Sequence, residues 1–260
     1  LSLPILISNR LIKFFGNITK PFAYIFHFFF PKKRFIIPEQ SKAIFPSKKT
    51  SKIPKIIWQT NFTNRVSLPV YLNYLFNRLM SLSYEYRYVS TEARLAYIES
   101  TMPKEITSAY KMLVNGASQA DLWRLLVLNN EGGVYMDIDA HLVWPLSKIL
   151  KPEDNEIFLL NKQHYTNYFI ASKKGNPLLE EAIRIIVDNI NNKKVEGGVY
   201  SLTGPTALNV ALANKTFNHR YYRSTCVQGS FTNEYFQYID RPRGKWTHMK
   251  NSDLLADAEK

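Results

Sequence analysis

Cysteine is nearly missing. Cys226 is the only one in 260 residues, which excludes an internal disulfide and any cysteine-rich zinc site and favours a reducing compartment. Long apolar runs are missing too. The first thirty residues are apolar and aromatic, but Arg10, Lys13 and Lys20 interrupt them, and no stretch reaches the ~18–20 residues that a bilayer-spanning helix needs. Acids are scarce, with 21 Asp and Glu against 34 Lys and Arg and a net charge of +13. The shortage is uneven: residues 1–55 hold a single acid, Glu39, whereas the middle of the chain is nearly balanced. No basic-aromatic RNA-binding signature or zinc finger accompanies the charge, so nucleic acid is not an expected partner. An anionic membrane surface suits it better. The hydrophobic share of 45% and charged share of 21% are those of a globular protein, which sets disorder aside.

Residues 1–52 read as a basic, apolar N-terminal segment with a linker, and 53–260 as the main domain. The run Pro21 to Phe30, followed by Lys32, Lys33 and Arg34, has the composition of an interfacial membrane anchor. The alternative is that its aromatics pack onto the domain as core. Residues 38–52, with Pro, Ser and Lys, read as the linker. The chain opens on Leu1 rather than Met, so a longer native N-terminus is expected. Ile53 to Thr60 reads as a first buried strand, followed by a helix around 69–80 and a strand from Tyr84 to Val89. Ser90 or Thr91 suits the cap of the next helix, and another starts after Pro103. The strongest helix spans 118–131, with Ser118 as its N-cap and Gly132-Gly133 at its end. A strand from Val134 to about Ala140 comes next, then strands at 156–161 and 168–172. A helix from Pro177 to about Asn189 and one opened by Thr203-Gly204-Pro205 complete the pattern. Strands alternating with helices predict an α/β fold with helices on both faces of the sheet.

The chemistry centres on Tyr135-Met136-Asp137-Ile138-Asp139. On a strand, Tyr135, Asp137 and Asp139 share one face, and Val134, Met136 and Ile138 share the other. Two carboxylates on one face repel each other, and a divalent cation resolves that conflict. Hard oxygen ligands suit Mg²⁺ or Mn²⁺, which keep open positions for substrate phosphates. A solvated strand end with two unrelated acids is the bland alternative. The preceding helix places Asp121 and Arg124 three apart on one face, and the Gly132-Gly133 turn brings that helix end to the start of the acidic strand. His141 lies two beyond Asp139, either supporting the site or sitting in a loop.

These segments carry a resemblance. Ala117-Ser118-Gln119-Ala120-Asp121-Leu122-Trp123-Arg124 running into Glu131-Gly132-Gly133-Val134-Tyr135-Met136-Asp137-Ile138-Asp139 resembles the DXD sugar-binding region of glycosyltransferase family 32. Ile53-Pro54-Lys55-Ile56-Ile57-Trp58-Gln59-Thr60 is similar to that family's opening strand, with Trp58 where His is frequent. The resemblance implies a GT-A fold, a Rossmann-like mixed sheet flanked by helices. It also implies a UDP- or GDP-sugar donor, a divalent metal and retention of anomeric configuration. It places Trp58, Gln59 and Thr60 at the nucleotide base, and Asp121 and Arg124 at the donor's sugar and diphosphate. Tyr135 falls on the donor side, Asp137 near the ribose and metal, and Asp139 on the metal directly. Tyr165 to Ser172 is similar to the family's N-x-F-x-x-S segment, which puts Asn167 at the donor sugar, and Thr203-Gly204-Pro205 resembles a turn on the acceptor side. GT-A enzymes commonly complete the metal site from a C-terminal segment, for which His248 is the candidate ligand and Lys250 the candidate phosphate contact. The family's usual Trp after that Ser is missing beyond Ser252.

The expected chemistry is transfer of a sugar from a nucleotide diphosphate to a glycan or lipid-linked acceptor in bacterial surface polysaccharide synthesis. The leaving charge would be neutralised by the metal, Arg124 and Lys250. The expected location is cytoplasmic, peripheral on the inner face of the cell membrane through residues 1–34, with a Golgi membrane as the other setting. A metal-dependent phosphotransferase and a non-catalytic glycan-binding scaffold are the rivals; the first lacks a Gly-rich phosphate loop or a third clustered acid.

Overall fold

A computed structural model of the chain describes residues 2–242 and 244–256. It opens with helix α1 (Leu3–Phe29), then the short strands β1 (Phe35–Ile36) and β2 (Gln40–Ser41). Strand β3 (Ile56–Thr60), β4 (Arg65–Val66), helix α2 (Leu68–Met80), β5 (Glu85–Val89), α3 (Thr91–Thr101) and α4 (Lys104–Met112) follow. Helix α5 (Gly116–Glu131) leads into β6 (Gly133–Met136), β7 (Ala140–Leu142) and the one-turn helix α6 (Leu146–Ile149). The hairpin β8 (Glu156–Asn161) and β9 (His164–Ser172) precedes α7 (Pro177–Asn191), α8 (Gly198–Leu202) and α9 (Pro205–Leu212). The described chain ends with β10 (His219–Tyr221), β11 (Cys226–Gln228), α10 (Glu234–Gln237) and a tail of short 3₁₀ turns.

Seven strands form one mixed sheet in the order β10-β8-β9-β6-β3-β5-β2. Strand β3 runs parallel to both β5 and β6, while β9 is antiparallel to β6 and β8. This is the helix-flanked mixed sheet expected for a GT-A-type fold. The period-2 rule sorts its side chains cleanly. Trp58, Tyr135, Phe158 and Ile170 face a core closed by α5, α7 and α9, whereas Ile57, Val134, Met136 and Phe169 face a core closed by α2 and α6.

Several boundaries differ from the sequence expectations. Helix α5 is capped by Asn115, whose side chain accepts from the Ser118 N–H; Ser118 is the receiving residue rather than the cap. Ser90, not Thr91, caps α3. The expected 38–52 linker supplies the edge strand β2, paired antiparallel with β5. The strand expected from Val134 to about Ala140 stops at Met136. A turn over residues 137–139 separates it from β7, which leaves the main sheet to pair with β11. Asp137 and Asp139 therefore sit on a turn, and no strand alternation orients them.

Candidate active site

The local sequence forces the approach to that turn. Gly132 and Gly133 have φ of +73° and +113°, a region that L side chains rarely adopt. A Cβ on Gly133 would lie 2.7 Å from the Ile56 carbonyl oxygen, and one on Gly132 would lie 2.8 Å from the Pro54 ring. The Trp58 indole N–H donates to the Gly132 carbonyl at 2.9 Å and locks the joint to β3.

The turn is then held by buried amides. Gln59 donates to the Asp137 carbonyl at 3.0 Å, and Asn73 donates to the carbonyls of Ile138 and Ala140 at 2.8 and 2.9 Å. Asn77, one helical turn along α2, donates to the Ala140 carbonyl and accepts from the Leu142 N–H. The Ala140 N–H closes the turn onto the Asp137 carbonyl at 3.0 Å.

Beneath the turn lies a buried ionic cluster. Arg124 reaches Asp121 at 2.9 Å and Asp137 at 3.4 Å through Nη2, and donates through Nη1 to the Asn167 carbonyl at 2.7 Å. Its guanidinium lies 4.4 Å from the centroid of the Tyr135 ring, a cation–π contact. Asp121 also accepts from the Asn167 amide at 2.9 Å and the Thr203 hydroxyl at 3.1 Å. Tyr135 donates its hydroxyl to Asp137 at 2.7 Å. Asp121 and Arg124 are both buried, so each charge depends on its partners.

Burial pushes the Asp121 carboxyl up to about 7, against the pull of Arg124. Burial also raises Asp139, to about 6, and the neighbouring Asp137 charge adds to it. Desolvation works against the charge on Arg124, but Tyr135, Asp137, Asp121 and Asp139 outweigh it and hold the guanidinium protonated.

At the lip, one Gln228 amide nitrogen donates to both Asp137 Oδ2, at 3.0 Å, and Asp139 Oδ1, at 3.1 Å. Two carboxylate oxygens thus converge on a single point that a neutral hydrogen-bond donor already occupies. That geometry fits a hard divalent cation, which takes one or two carboxylates and fills its shell with water and substrate phosphate. Among the described residues no group of three or more His, Cys, Asp or Glu is placed to hold a metal.

The structure therefore brings together Asp121, Arg124, Tyr135, Asp137, Asp139 and Asn167. Gln59 joins them by holding the turn backbone. Thr60 is buried with its hydroxyl on the Val89 carbonyl at 2.6 Å. Trp58 is a core residue, edge-on to Trp123 and under the Arg87 guanidinium. His248 is exposed and bonds Glu234 at 3.0 Å, so it is not gathered with the two aspartates. Lys250 is exposed on the same tail. His141 is buried between Phe76 and Phe231, with neither ring nitrogen bonded, and belongs to packing.

Sequence reading missed Gln228, Asn73 and Asn77, and assigned Thr203 only to the acceptor side. Asn73 and Asn77 left a faint signal, two amides one turn apart on the inner stripe of an amphipathic helix. Gln228 left none, because only the β7–β11 pairing, with Gln228 opposite Ala140, delivers it.

Residues 69–157 match the family model described as the glycosyltransferase sugar-binding region containing a DXD motif. Over this segment the chain is similar to that family. It is 27% identical over 160 residues to an initiation-specific alpha-1,6-mannosyltransferase of Schizosaccharomyces pombe, covering 52% of this chain and 40% of that protein. It is 25% identical over 219 residues to the protein of the same name from Candida albicans, covering 68% of this chain and 55% of that one. The chain thus spans about half the length of these curated relatives. A solved structure, PaToxG Glycosyltransferase, aligns at 17% identity with a TM-score of 0.47, over 81% of this chain and 79% of that one. The DXD of the family is Asp137-Ile138-Asp139, which the matched segment contains.

Proposed function

We propose that the protein transfers a sugar from a nucleotide-diphosphate donor to a glycan or lipid-linked acceptor, with a divalent cation held by Asp137 and Asp139. The observation that carries this reading is the convergence of the two carboxylate oxygens on one amide nitrogen at the lip of the Asp121–Arg124 cluster. The mannosyltransferase names of the two relatives make a mannose donor the first to try, and the basic N-terminal segment favours work at the inner face of a bacterial membrane on surface polysaccharide.

Mn²⁺ or Mg²⁺ bound there supplies positive charge where the diphosphate leaves. The chain's own residues prepare that step. Gln228 bridges the carboxylate pair and would have to give way to a cation held by Asp137 and Asp139. Arg124 is bonded to Ala120, Asn167, Asp121 and Asp137, so its role is to fix Asp121 and Asp137 rather than to clamp the phosphate alone. Asp121, turned toward Asn167 and Thr203, sits where a sugar hydroxyl can exchange for one of those partners. The resemblance implies retention; no carboxylate stands out as a covalent nucleophile, so the preferred route to it is attack of the acceptor on the face the diphosphate leaves, with the donor phosphate taking the acceptor's proton.

The test is release of nucleoside diphosphate from GDP- and UDP-sugars with Mn²⁺ or Mg²⁺ and a panel of acceptors. Release that survives Asp139→Ala undiminished would remove the metal assignment. Donor binding without turnover on any acceptor would replace transfer with a binding role.

A further inference from the structure

Helix α1 is amphipathic in the reverse sense to a helix packed on a soluble domain. Leu11, Phe14, Ile18, Phe22, Ile25 and Phe29 recur three or four residues apart, which places them on one face. That face points outward: Phe14 is 60% exposed, Phe22 65% and Phe29 68%. The opposite face, carrying Asn9, Ile12, Gly16, Ala23 and His27, is the buried one. Its contacts with the domain combine polar bonds and close backbone approaches with aromatic packing of Tyr24 and His27 on Phe236. Asn9 donates to the Arg223 carbonyl, Lys20 to the Gly229 carbonyl, and His27 accepts the Leu68 N–H. Gly16 lies so close that a Cβ there would stand 3.0 Å from the Ser230 backbone.

Nothing else in the described chain covers the outer stripe. An apolar groove of about 730 Å³ extends it at the N-terminal end, between Leu3, Ile7 and Leu11 of α1 and Phe76 and Trp144 of the domain. An exposed apolar stripe rimmed by polar residues is the kind of surface that marks an interaction site.

We propose that this stripe lies in the surface of an anionic lipid bilayer, with α1 parallel to the membrane plane. The charge around it selects that occupant. Arg10, Lys32 and Lys33 are exposed beside the stripe, and no acid occurs before Glu39. Two copies packed stripe to stripe would bring those like charges together, whereas anionic headgroups neutralise them. Among the described residues no helix is long and apolar enough to cross a membrane, and 27 residues lying flat cover ~40 Å of surface. A moment of this kind with basic flanks belongs to interfacial helices.

The position has a consequence for the site. Lys20 bonds the Gly229 carbonyl, and the Gly229 N–H bonds the Asp139 carbonyl at 3.1 Å. A single residue therefore links the lipid-facing helix to the DXD turn. Membrane docking stands or falls independently of sugar transfer.

The full chain is mixed with vesicles of phosphatidylcholine alone and with vesicles enriched in phosphatidylglycerol, then sedimented. Binding about tenfold or more tighter to the anionic vesicles is expected, weakening about fivefold for each of Arg10→Gln, Lys32→Gln and Lys33→Gln. The variant Phe14→Ser/Phe22→Ser/Ile25→Ser, checked for native near-ultraviolet circular dichroism, is expected to lose sedimentation. In Phe22→Trp, brominated lipid is expected to quench the added fluorescence, which reports insertion directly. No sedimentation of the full chain, an unquenched Phe22→Trp, or a lipid-free dimer that the triple variant dissolves would each overturn the proposal.

Discussion

The DXD site and helix α1 break the ordinary rule of burial in opposite directions. At the site, charges are buried: Asp121 and Arg124 lie inside the protein, and every charged group there has a partner. Along α1, large apolar side chains are exposed, and no other element among the described residues covers the outer stripe. Both departures are unfavourable in isolation. The first is compensated within the chain by hydrogen bonds and ion pairing. The second is what the proposed lipid surface would cover. Polar burial is balanced here within the chain, whereas the apolar exposure is not.

The contrast predicts a hierarchy of responses. Removing one partner from the buried cluster should have the largest effect on stability. Arg124→Met leaves Asp121 buried without a counter-charge and should lower unfolding stability by ~3–5 kcal/mol in urea titrations. The double change Arg124→Met/Asp121→Leu should recover much of that loss, and an equal or larger loss in the double variant would show that pairing is not what holds the cluster. On α1, Gly16→Leu drives a side chain into the Ser230 backbone and should destabilise by ~1–3 kcal/mol through overpacking. Differential scanning calorimetry would read this, and it should also speed proteolysis within α1.

A smaller effect follows from pH. His27 accepts a hydrogen bond from the Leu68 N–H through Nε2, which requires the neutral ring. Burial, then the Arg34 charge, lowers its pKa below the usual histidine value of about 6.5. A depressed folded pKa means that the unfolded chain takes the proton first. Stability is therefore full above about pH 6.5 and is lost as pH falls through the folded value. Acid should loosen the α1–α2 contact by ~1 kcal/mol, read as faster Leu68 amide exchange at pH 5 than at pH 7 after correction for intrinsic rates. His27→Gln should flatten that difference, and an unchanged difference would show the histidine is not its source. The smallest stability effect is expected at Asp139→Asn, within ~0.5 kcal/mol, because that residue is only partly covered and the amide keeps an oxygen to accept from Gln228. Where Asp139 holds the proposed cation, nucleotide release should nonetheless fall by about a hundredfold or more, the scale of losing one stabiliser of the leaving charge. A matching loss of stability would make Asp139 structural instead.

The sequence by itself indicated many of the elements and several of the residues that the structure brings together. Apolar periodicity fixed α2, β5, β8 and α7 to within a residue or two, and Gly132-Gly133 marked the joint because only glycine tolerates that backbone and that closeness. Asp121 and Arg124 were legible from helical spacing, and Asp137 and Asp139 from their motif. What the sequence could not decide was direction. Strand alternation put the two aspartates on one face of β6, but β6 ends at Met136, and their convergence is imposed by Gln59, Asn73 and Asn77 gripping the turn from two other elements. Gln228 enters only through pairing of strands more than eighty residues apart. Trp58, a base-site candidate by position, was claimed by the core because its indole N–H had a buried carbonyl to satisfy. For α1 the sequence supplied the apolar stripe, and tertiary packing alone chose which face the domain would cover. It covered the small and polar face, because Gly16, Asn9 and His27 fit the backbone of 223–230 and α2 where phenylalanines could not.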